Sequence, residues 1–418
     1  MMRFSRALLD ACIEAFTAVL PLERPADSVL AKFFRDHPHL GQRDRALVAE
    51  SVYAALRRRR LLERLETMRA PRRLVLATWA TLLGANMKEL EPLARGDEFA
   101  WLGAAKREAS ASQPLEIECD FPDWLIERLR LRFDDTVLRE IAAGLNRNAA
   151  LDLRVNLMKV SRDAVLARLA EDGLHPGPTP FSPAGVRLPG RPAINRHPLF
   201  IEGAVEVQDE GSQLLSYLVA PRRSELVVDF CAGAGGKTLA LGMLMRSGGR
   251  LYAFDVSVKR LAALKPRMAR SGLSNVHPLR IADANDVHIK RLSGKIDRVL
   301  VDAPCSGLGT LRRNPDLKWR WTPDDINEMA RKQRGILSDA SRLLKPGGRL
   351  VYATCSILEE ENRQVVEEFL ARHADFRQHS AKEIFAEQRI PLDTGDYLET
   401  WPHVHGTDGF FAAVFERK

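Results

Sequence analysis

The first third of the chain places apolar residues three and four positions apart, and prolines or polar stretches interrupt this pattern. Within residues 1–149 the interruptions fall at Pro21, at His37-Pro38, at Pro71 and between Ser110 and Pro114. Apolar residues with this spacing form one face of a helix that packs on a core. The pattern therefore predicts an N-terminal all-helical domain in residues 1–149.

A different pattern begins in residues 151–157, where apolar and polar residues alternate. A helical pattern follows in residues 161–171, and two short extended stretches come at residues 186–188 and 204–208. Alternation with a period of two is typical of a strand that has one buried face. We interpret residues 150–207 as a small α+β module.

The remainder, residues 208–418, alternates strand-like apolar runs with helical patterns. The predicted strands are Leu226–Phe230, Arg250–Phe254, Val276–Ile281, Arg298–Val301, Arg349–Thr354 and Phe410–Phe415. This alternation is typical of an α/β domain with a doubly wound, Rossmann-like sheet. Because ligands of such sheets bind at the carboxyl ends of the strands, we expect a binding site there.

The first of these strands runs into a glycine-rich turn at Cys231–Lys237. Glycines let the backbone approach a ligand closely, and the amides that start the next helix point toward it. The phosphate-cradling pattern G-x-x-x-x-G-K-[ST] fails at its first glycine, and Thr238 stands at the third glycine of the dinucleotide pattern G-x-G-x-x-G. The second strand ends in Asp255, where such folds bind ribose hydroxyls. We therefore expect a ribose-bearing cofactor, whose identity the loop leaves open.

Charge and composition add a candidate partner. The chain has 418 residues, 45% of them hydrophobic, which is enough to bury a sizeable core in more than one domain. The net charge is +8, and arginine-rich patches at Arg57–Arg60, Arg222-Arg223 and Arg312-Arg313 favour a polyanion such as a nucleic acid. Arginine clusters on helices are also often solvated surface, so charge alone leaves this interpretation open.

The cysteines indicate a reducing compartment. There are five, with no C-x-x-C pair and no metal-ligand spacing to the histidines: Cys12, Cys119, Cys231, Cys305 and Cys355. We therefore expect a reduced, cytoplasmic protein without a metal site. Asp10 and Glu14 interrupt the apolar N-terminal segment, so we expect neither a signal peptide nor a membrane span.

Two strand ends in the predicted sheet carry a cysteine followed by a serine, Cys305-Ser306 and Cys355-Ser356. Because ligands bind at the carboxyl ends of the strands, both thiols should face the glycine-rich turn Cys231–Lys237. A buried cysteine is most often a small hydrophobic residue. Two such cysteines at the ends of neighbouring strand patterns favour a catalytic pair instead.

At these residues the sequence resembles the RsmB/NOP/Sun family of S-adenosylmethionine-dependent RNA (cytosine-5) methyltransferases. The N-terminal region is similar to the NusB-like domain of the bacterial RsmB subgroup, and the small module to an RRM-like RNA-binding module. The resemblance is carried by Gln208-Asp209, Cys231–Thr238, Asp255, Asp283, Asp302–Ser306, Arg312–Trp319, Tyr352–Ser356, Glu360-Glu361-Asn362 and Asp408–Phe411.

The resemblance implies a role for each cysteine. Carbon 5 of cytosine is a poor nucleophile, and a thiolate that adds to carbon 6 activates it. The family pattern assigns this nucleophile to Cys355 and product release to Cys305. It assigns the binding of S-adenosylmethionine to Cys231, Ala232, Gly233, Ala234, Gly235, Gly236, Lys237, Asp255, Asp283 and Asp302. The family usually has Pro at the position of Ala234, so we expect a more flexible loop here.

The expected partner is a structured RNA, 16S ribosomal RNA by the resemblance, and we expect a monomer. The segment with Arg312-Arg313 and Lys318-Trp319 combines charge with an aromatic ring that could stack on an unpaired base. In the simpler alternative, Trp319 is anchored in the core. Three further alternatives stay open: another RNA such as tRNA or 23S rRNA, a non-catalytic RNA-binding factor, and a dinucleotide-dependent oxidoreductase.

Overall fold

The computed structural model describes residues 4–66, 68–190, 192–283 and 286–418. Two compact units are present. The helical unit comprises Met1–Arg147 together with Thr310–Thr322, and the sheet unit comprises Asn148–Gly309 together with Pro323–Lys418. The division into three domains at residues 149 and 207 stays a prediction, and the small module lies within the sheet unit.

The helices and strands are numbered in chain order. The helices are α1 (Arg6–Val19), α2 (Ala26–Asp36), α3 (Gln42–Arg57), α4 (Arg59–Leu65), α5 (Pro71–Thr81), α6 (Met87–Leu90), α7 (Glu98–Ser110), α8 (Leu115–Cys119), α9 (Asp123–Arg130), α10 (Asp135–Leu145), α11 (Arg162–Glu171), α12 (Pro198–Ile201), α13 (Glu210–Val219), α14 (Gly236–Leu244), α15 (Val258–Ser271), α16 (Val287–Leu292), α17 (Leu317–Arg320), α18 (Pro323–Ser341), α19 (Arg363–Arg372), α20 (Ala381–Glu387) and α21 (Pro402–His405). The strands are β1 (Leu151–Val155), β2 (Gly177–Pro178), β3 (Gly185–Leu188), β4 (Val205–Val207), β5 (Leu226–Asp229), β6 (Arg250–Asp255), β7 (Val276–Arg280), β8 (Ile296–Asp302), β9 (Leu344–Thr354), β10 (Phe376–His379), β11 (Leu398–Thr400) and β12 (Phe410–Arg417).

The helical unit buries the apolar stripes that its sequence predicts. Phe16 of α1, Leu56 of α3 and Trp79 of α5 are each fully buried in one core. The indole N–H of Trp79 donates to the Ser51 hydroxyl at 2.9 Å, so the one polar atom of this large side chain is satisfied. Among the described residues, no helix has both the length and the apolar character that crossing a membrane requires.

Residues 310–322 leave the sheet unit in sequence and pack into the helical unit. Lys318 is fully buried there, and its ammonium nitrogen donates to the carbonyls of Arg57 at 2.9 Å and Asp120 at 2.6 Å and to the side-chain oxygen of Asn146 at 2.9 Å. The indole N–H of Trp319 donates to the carbonyl of Leu56 at 2.8 Å. This segment is thus part of the helical core.

These contacts correct the prediction that Lys318 and Arg312 bind RNA. Lys318 has no exposed surface and Arg312 is only 6% exposed, so neither can reach a phosphate. Burial lowers the pKa of Lys318 to about 7, and Asp120 opposes this as a nearby negative charge. The indole of Trp319 is anchored in the helical unit, which is the simpler of the two alternatives for that residue.

The patch Arg57–Arg60 is also largely structural. Arg57 is buried, Arg59 pairs with Glu63 at 2.8 Å, and Arg60 pairs with Asp123 at 2.6 Å. Neighbouring carboxylates therefore neutralise Arg59 and Arg60, which the sequence analysis placed in a patch that favours a polyanion.

The small module is built on an antiparallel sheet in the order β2-β3-β1-β4. Its core is apolar and includes Leu153, Val186 and Val205 from three of the strands and Val165 from α11. On the other side of the strand, Arg154 of β1 lies opposite Glu206 of β4. The predicted alternation in residues 151–157 is therefore present, with two charged residues in register.

The large sheet runs in the order β10-β12-β9-β8-β5-β6-β7, with β11 paired to β12. The five strands β7, β6, β5, β8 and β9 are parallel, and β12 is antiparallel to β9. The predicted fold class, a Rossmann-like sheet with a helical N-terminal region and a small α+β module, is confirmed. The chain runs from β5 outward to β7 and then returns to β8 on the other side, so the strand order reverses between β5 and β8. Crevices form at such reversals.

Candidate active site

A cavity of about 500 Å³ opens at the carboxyl ends of the parallel strands. Asp255 and Asp302 are the last residues of β6 and β8, and Cys355 directly follows β9. The cavity volume is in the range typical of sites for small molecules. Its lining includes the predicted residues Cys231, Ala232, Gly233, Ala234, Gly236, Lys237, Asp255, Asp302, Cys305 and Cys355.

Two predicted cofactor residues lie outside this lining. Gly235 has φ +86°, and a Cβ atom there would lie 2.0 Å from Cδ1 of Leu264, so this glycine is required by the turn and by packing on α15. Asp283 is exposed, three residues beyond the end of β7. The structure therefore gives Gly235 a conformational role and does not bring Asp283 to the cavity wall.

The two sulfur atoms lie next to each other. Sγ of Cys305 is 3.4 Å from Sγ of Cys355, because the loops that carry them follow the adjacent parallel strands β8 and β9. The hydrogen bond with Cys355, together with burial, raises the pKa of the Cys305 thiol well above its ordinary value. The two sulfur atoms are therefore within hydrogen-bond distance, and either thiol can be the donor.

A buried carboxylate fixes both cysteine loops. Glu361 has no exposed surface and accepts hydrogen bonds from the Ser306 amide at 2.8 Å, from the Ser306 hydroxyl at 2.5 Å and from the Ser356 hydroxyl. The side-chain amide of Gln333 adds a bond at 3.0 Å. The serine after each cysteine therefore has a structural reason. Sequence reasoning missed this role, although Glu361 stands in one of the motifs that carried the resemblance.

An ion pair crosses the cavity wall between the glycine loop and β8. Nζ of Lys237 lies 2.7 Å from Oδ2 of Asp302. Burial acts to lower the pKa of Lys237, but the charge of Asp302 and the hydrogen bond to it act more strongly, and the pKa is raised. Lys237 is therefore a cation.

Asp255 is held at the opposite side of the glycine loop. Its carboxylate accepts from the Gly233 amide at 2.9 Å and the Ser257 amide at 2.7 Å, and Arg260 lies 3.2 Å away. A Cβ atom at Gly233 would meet nothing within 4 Å, so the space beside this carboxylate is open. The arrangement suits a ligand with vicinal hydroxyls.

Several lining residues were not assigned a role from the sequence. They are mostly apolar and flank the polar groups just described: Phe230, Val256, Ile281, Ala303, Pro304, Ile336 and Phe410, with Gln208 and Ser212 as polar members. The position of Val256, directly after Asp255, was the available signal, because a strand-end residue beside a ribose-binding carboxylate faces the same ligand.

Comparison with known proteins decides the family. The family model described as 16S rRNA methyltransferase RsmB/F matches residues 216–416, and that of the RsmF/B-like ferredoxin-like domain matches residues 121–195. The probable ribosomal RNA small subunit methyltransferase B of Synechocystis sp. is 37% identical over 298 residues, which are 71% of this chain and 67% of that protein. The chain belongs to the RsmB/F methyltransferase family.

Two further proteins support this membership. The probable ribosomal RNA small subunit methyltransferase B of Bacillus subtilis is 32% identical over 309 residues, covering 73% of this chain and 68% of that protein. The crystal structure of PH0851 superposes with a TM-score of 0.79 at 29% identity and covers 99% of both chains. The predictions of an RsmB-like family and of an S-adenosylmethionine-dependent methyltransferase are confirmed.

Membership in the RsmB/F family removes one of the alternatives that the sequence left open, because a dinucleotide-dependent oxidoreductase falls outside a family of methyltransferases. The relatives act on RNA of the small ribosomal subunit according to their names.

Proposed function

We propose that this protein methylates carbon 5 of a cytosine in 16S ribosomal RNA through a covalent bond between Cys355 and carbon 6 of the base. The observation that carries the proposal is the pair of sulfur atoms of Cys305 and Cys355, 3.4 Å apart on the wall of one cavity. A methyltransferase that acts on an already nucleophilic atom needs no thiol there. Two neighbouring thiols indicate a target carbon that must first be activated.

The cavity fits S-adenosylmethionine. Asp255 would take the ribose hydroxyls, and the open space beside Gly233 would admit the sugar. The apolar side chains of Val256 and Ile281 would flank the adenine, and Lys237 is a cation for a carboxylate. S-adenosylmethionine, when bound, supplies a methyl group that leaves its sulfur without the bonding electrons. Asp283, which is exposed, stays a predicted contact to the adenine amine.

Cys355 begins the reaction. Its thiolate forms a bond to carbon 6 of the cytosine, and the electrons of the C5=C6 double bond move so that carbon 5 becomes nucleophilic. Carbon 5 then forms its bond to the methyl group. Lys237 keeps a positive charge in the same cavity through its ion pair with Asp302. This positive charge stabilises negative charge on the sulfur.

Release reverses the first bond. The proton on carbon 5 passes to a base, its bonding electrons restore the C5=C6 double bond, and the S–C6 pair returns to Cys355 as a thiolate. Cys305 lies 3.4 Å from that sulfur, and its raised pKa keeps it a thiol that can donate a hydrogen bond to the departing thiolate. We assign it the stabilisation of the departing sulfur, which speeds product release.

The substrate is proposed to be an unpaired cytosine, because a base must leave its stack to enter a cavity of this kind. We further propose that the protein works as a monomer in the cytoplasm.

The test is methylation of purified RNA from cells that lack the gene. The protein is incubated with S-adenosylmethionine and either 16S rRNA, small subunits, 23S rRNA or tRNA, and 5-methylcytosine is mapped by bisulfite sequencing. We expect one or a few protected cytosines in the 16S samples and none in the others. Methylation of tRNA or 23S rRNA alone would show that this RNA is the substrate. Methyl transfer to any atom other than carbon 5 would reject the proposed cytosine-5 chemistry.

A further inference from the structure

Two arginines hold the glycine-rich turn Cys231–Lys237 by hydrogen bonds to its backbone carbonyls. Arg154 of β1 donates to the carbonyl of Gly236 at 2.7 Å, and Arg267 of α15 donates to the carbonyl of Ala234 at 2.7 Å. These carbonyls lie on either side of Gly235, whose φ of +86° makes the turn. Hence the two arginines hold the loop just before and just after its sharpest bend.

Arg154 is not an ordinary surface residue. Arg154 is 4% exposed, and burial lowers its pKa to about 10, so it is still a cation at neutral pH. It also donates to Oε1 of Gln208, which lines the cavity. The methylation chemistry gives a buried guanidinium at this place no role. Hydrogen bonds from charged donors are stronger than neutral ones, which suits a positioning role.

Glu206 ties the two arginines to the small module. It is 5% exposed, lies opposite Arg154 in the β1–β4 register, and accepts from Arg267 at 3.0 Å and from Arg270. The small module therefore contains Arg154 itself and orients Arg267 through the carboxylate of Glu206. A loop of glycines and small residues has many accessible conformations, and each restraint reduces the entropy lost on binding.

We propose that Arg154 and Arg267 are positioning residues that hold the carbonyls of Ala234 and Gly236 and thereby set the affinity of the cavity for its cofactor. The inference rests on the proposed function, since it takes this cavity to be the S-adenosylmethionine site. It gives the small module a role in cofactor binding in addition to any contact with RNA. Arg154 and Arg267 touch no reacting atom and act through the loop.

Arg267→Gln is the decisive variant, because Arg267 is partly exposed and its loss leaves the core intact. Arg270→Gln is the matched control: it removes the same charge from the same Glu206 cluster, yet Arg270 does not contact the glycine loop through any of its described hydrogen bonds. We expect titration calorimetry with S-adenosylhomocysteine to show a dissociation constant raised about tenfold by Arg267→Gln and unchanged within twofold by Arg270→Gln. Arg267→Lys should recover part of the loss.

Two further measurements separate positioning from general damage. In turnover assays Arg267→Gln should raise KM for the cofactor and leave kcat near wild type. In the ligand-free protein, hydrogen exchange of the amides at residues 233–237 should be faster in Arg267→Gln than in Arg270→Gln. Equal affinity and equal exchange in the two variants would overturn the proposal. If wild type itself binds no S-adenosylhomocysteine, the proposed function fails, and the exchange experiment still decides whether the loop is restrained.

Discussion

Cys305 and Cys355 differ in what each does to the covalent bond, so their variants should fail in different ways. Without Cys355 no thiolate reaches carbon 6, and Cys355→Ala should abolish both methyl transfer and adduct formation. Without Cys305 addition and methylation continue, but the departing sulfur loses its hydrogen bond of 3.4 Å. Cys305→Ala should therefore accumulate a protein–RNA complex, measured by denaturing electrophoresis with S-adenosylmethionine and substrate RNA.

The adduct experiment has two controls. Adding Cys355→Ala to Cys305→Ala should remove the complex. Cys119→Ala should behave as wild type, because Cys119 is a buried thiol of the helical unit, whose pKa burial raises to about 11. A complex in Cys355→Ala instead would exchange the two roles, and turnover in both single variants would exclude thiol catalysis.

The sequence predicted which residues lie in the cavity, but it did not predict which groups each side chain contacts. Cys305, Cys355, Lys237 and Asp302 could be assigned to one cavity because each stands in a motif at a strand end. The burial of Lys318 could not be predicted, since a lysine next to tryptophan is just as typical of a nucleic-acid contact. Its partners come from residues 172 to 261 positions earlier in the chain.

Among the elements, the turn between β5 and α14 gives a matched pair of glycine variants. Gly235 and Gly233 both have positive φ, but only Gly235 would also bring its new Cβ atom to 2.0 Å from Leu264. Backbone strain alone costs roughly 1–2 kcal/mol, and overpacking adds about 1–3 kcal/mol. Urea denaturation followed by circular dichroism should show a lower free energy of unfolding for Gly235→Ala than for Gly233→Ala, by about the overpacking cost.

Equal destabilisation of the two glycine variants would show that α15 yields to the new methyl group. A larger effect of Gly233→Ala would reject the packing argument altogether. Calorimetry on the same two variants also compares a glycine that lines the cavity, Gly233, with one that does not, Gly235.

The elements that sequence patterns missed are short or irregular. β10 and β11 have four and three residues, too few for a period of two to stand out, and both pair with β12. β9 begins at Leu344, ahead of the predicted start at Arg349, and its pairing with β8 shifts register between Ile296 and Arg298. Among the six predicted strands, β5, β6, β8, β9 and β12 were predictable because each contains a buried apolar run.

On the scale of the whole molecule, the helical unit depends on a segment that the sheet half of the sequence contributes. Lys318→Met would leave the buried carboxylate of Asp120 without the ammonium that lies 3.9 Å away, and three oxygen acceptors would lose their donor. Breaking a buried pair from one side typically costs about 3–5 kcal/mol. We expect a loss of this size in thermal or urea unfolding of the helical unit.

Two comparisons test the origin of that loss. Lys332→Met removes a lysine whose ion pair with Glu328 is exposed, and it should leave stability unchanged within error. The double variant Lys318→Met with Asp120→Asn should be more stable than Lys318→Met alone, because it removes a buried negative charge that then has only Arg58, 3.8 Å away, as a cation. Wild-type stability in Lys318→Met would mean that Arg58 and the backbone amides of Arg60 and Leu61 stabilise the Asp120 carboxylate without Lys318.

The insertion of residues 310–322 also constrains the order in which the protein can mature on the ribosome. Lys318 is made 171 positions after Arg147, where the first stretch of the helical unit ends. At ordinary elongation rates this is a wait of roughly 10–35 s. During that time Asp120 and Asn146 have emerged without the lysine that they bind in the finished fold. We therefore expect the N-terminal unit to complete its packing only after Lys318 has been made and can donate to these residues.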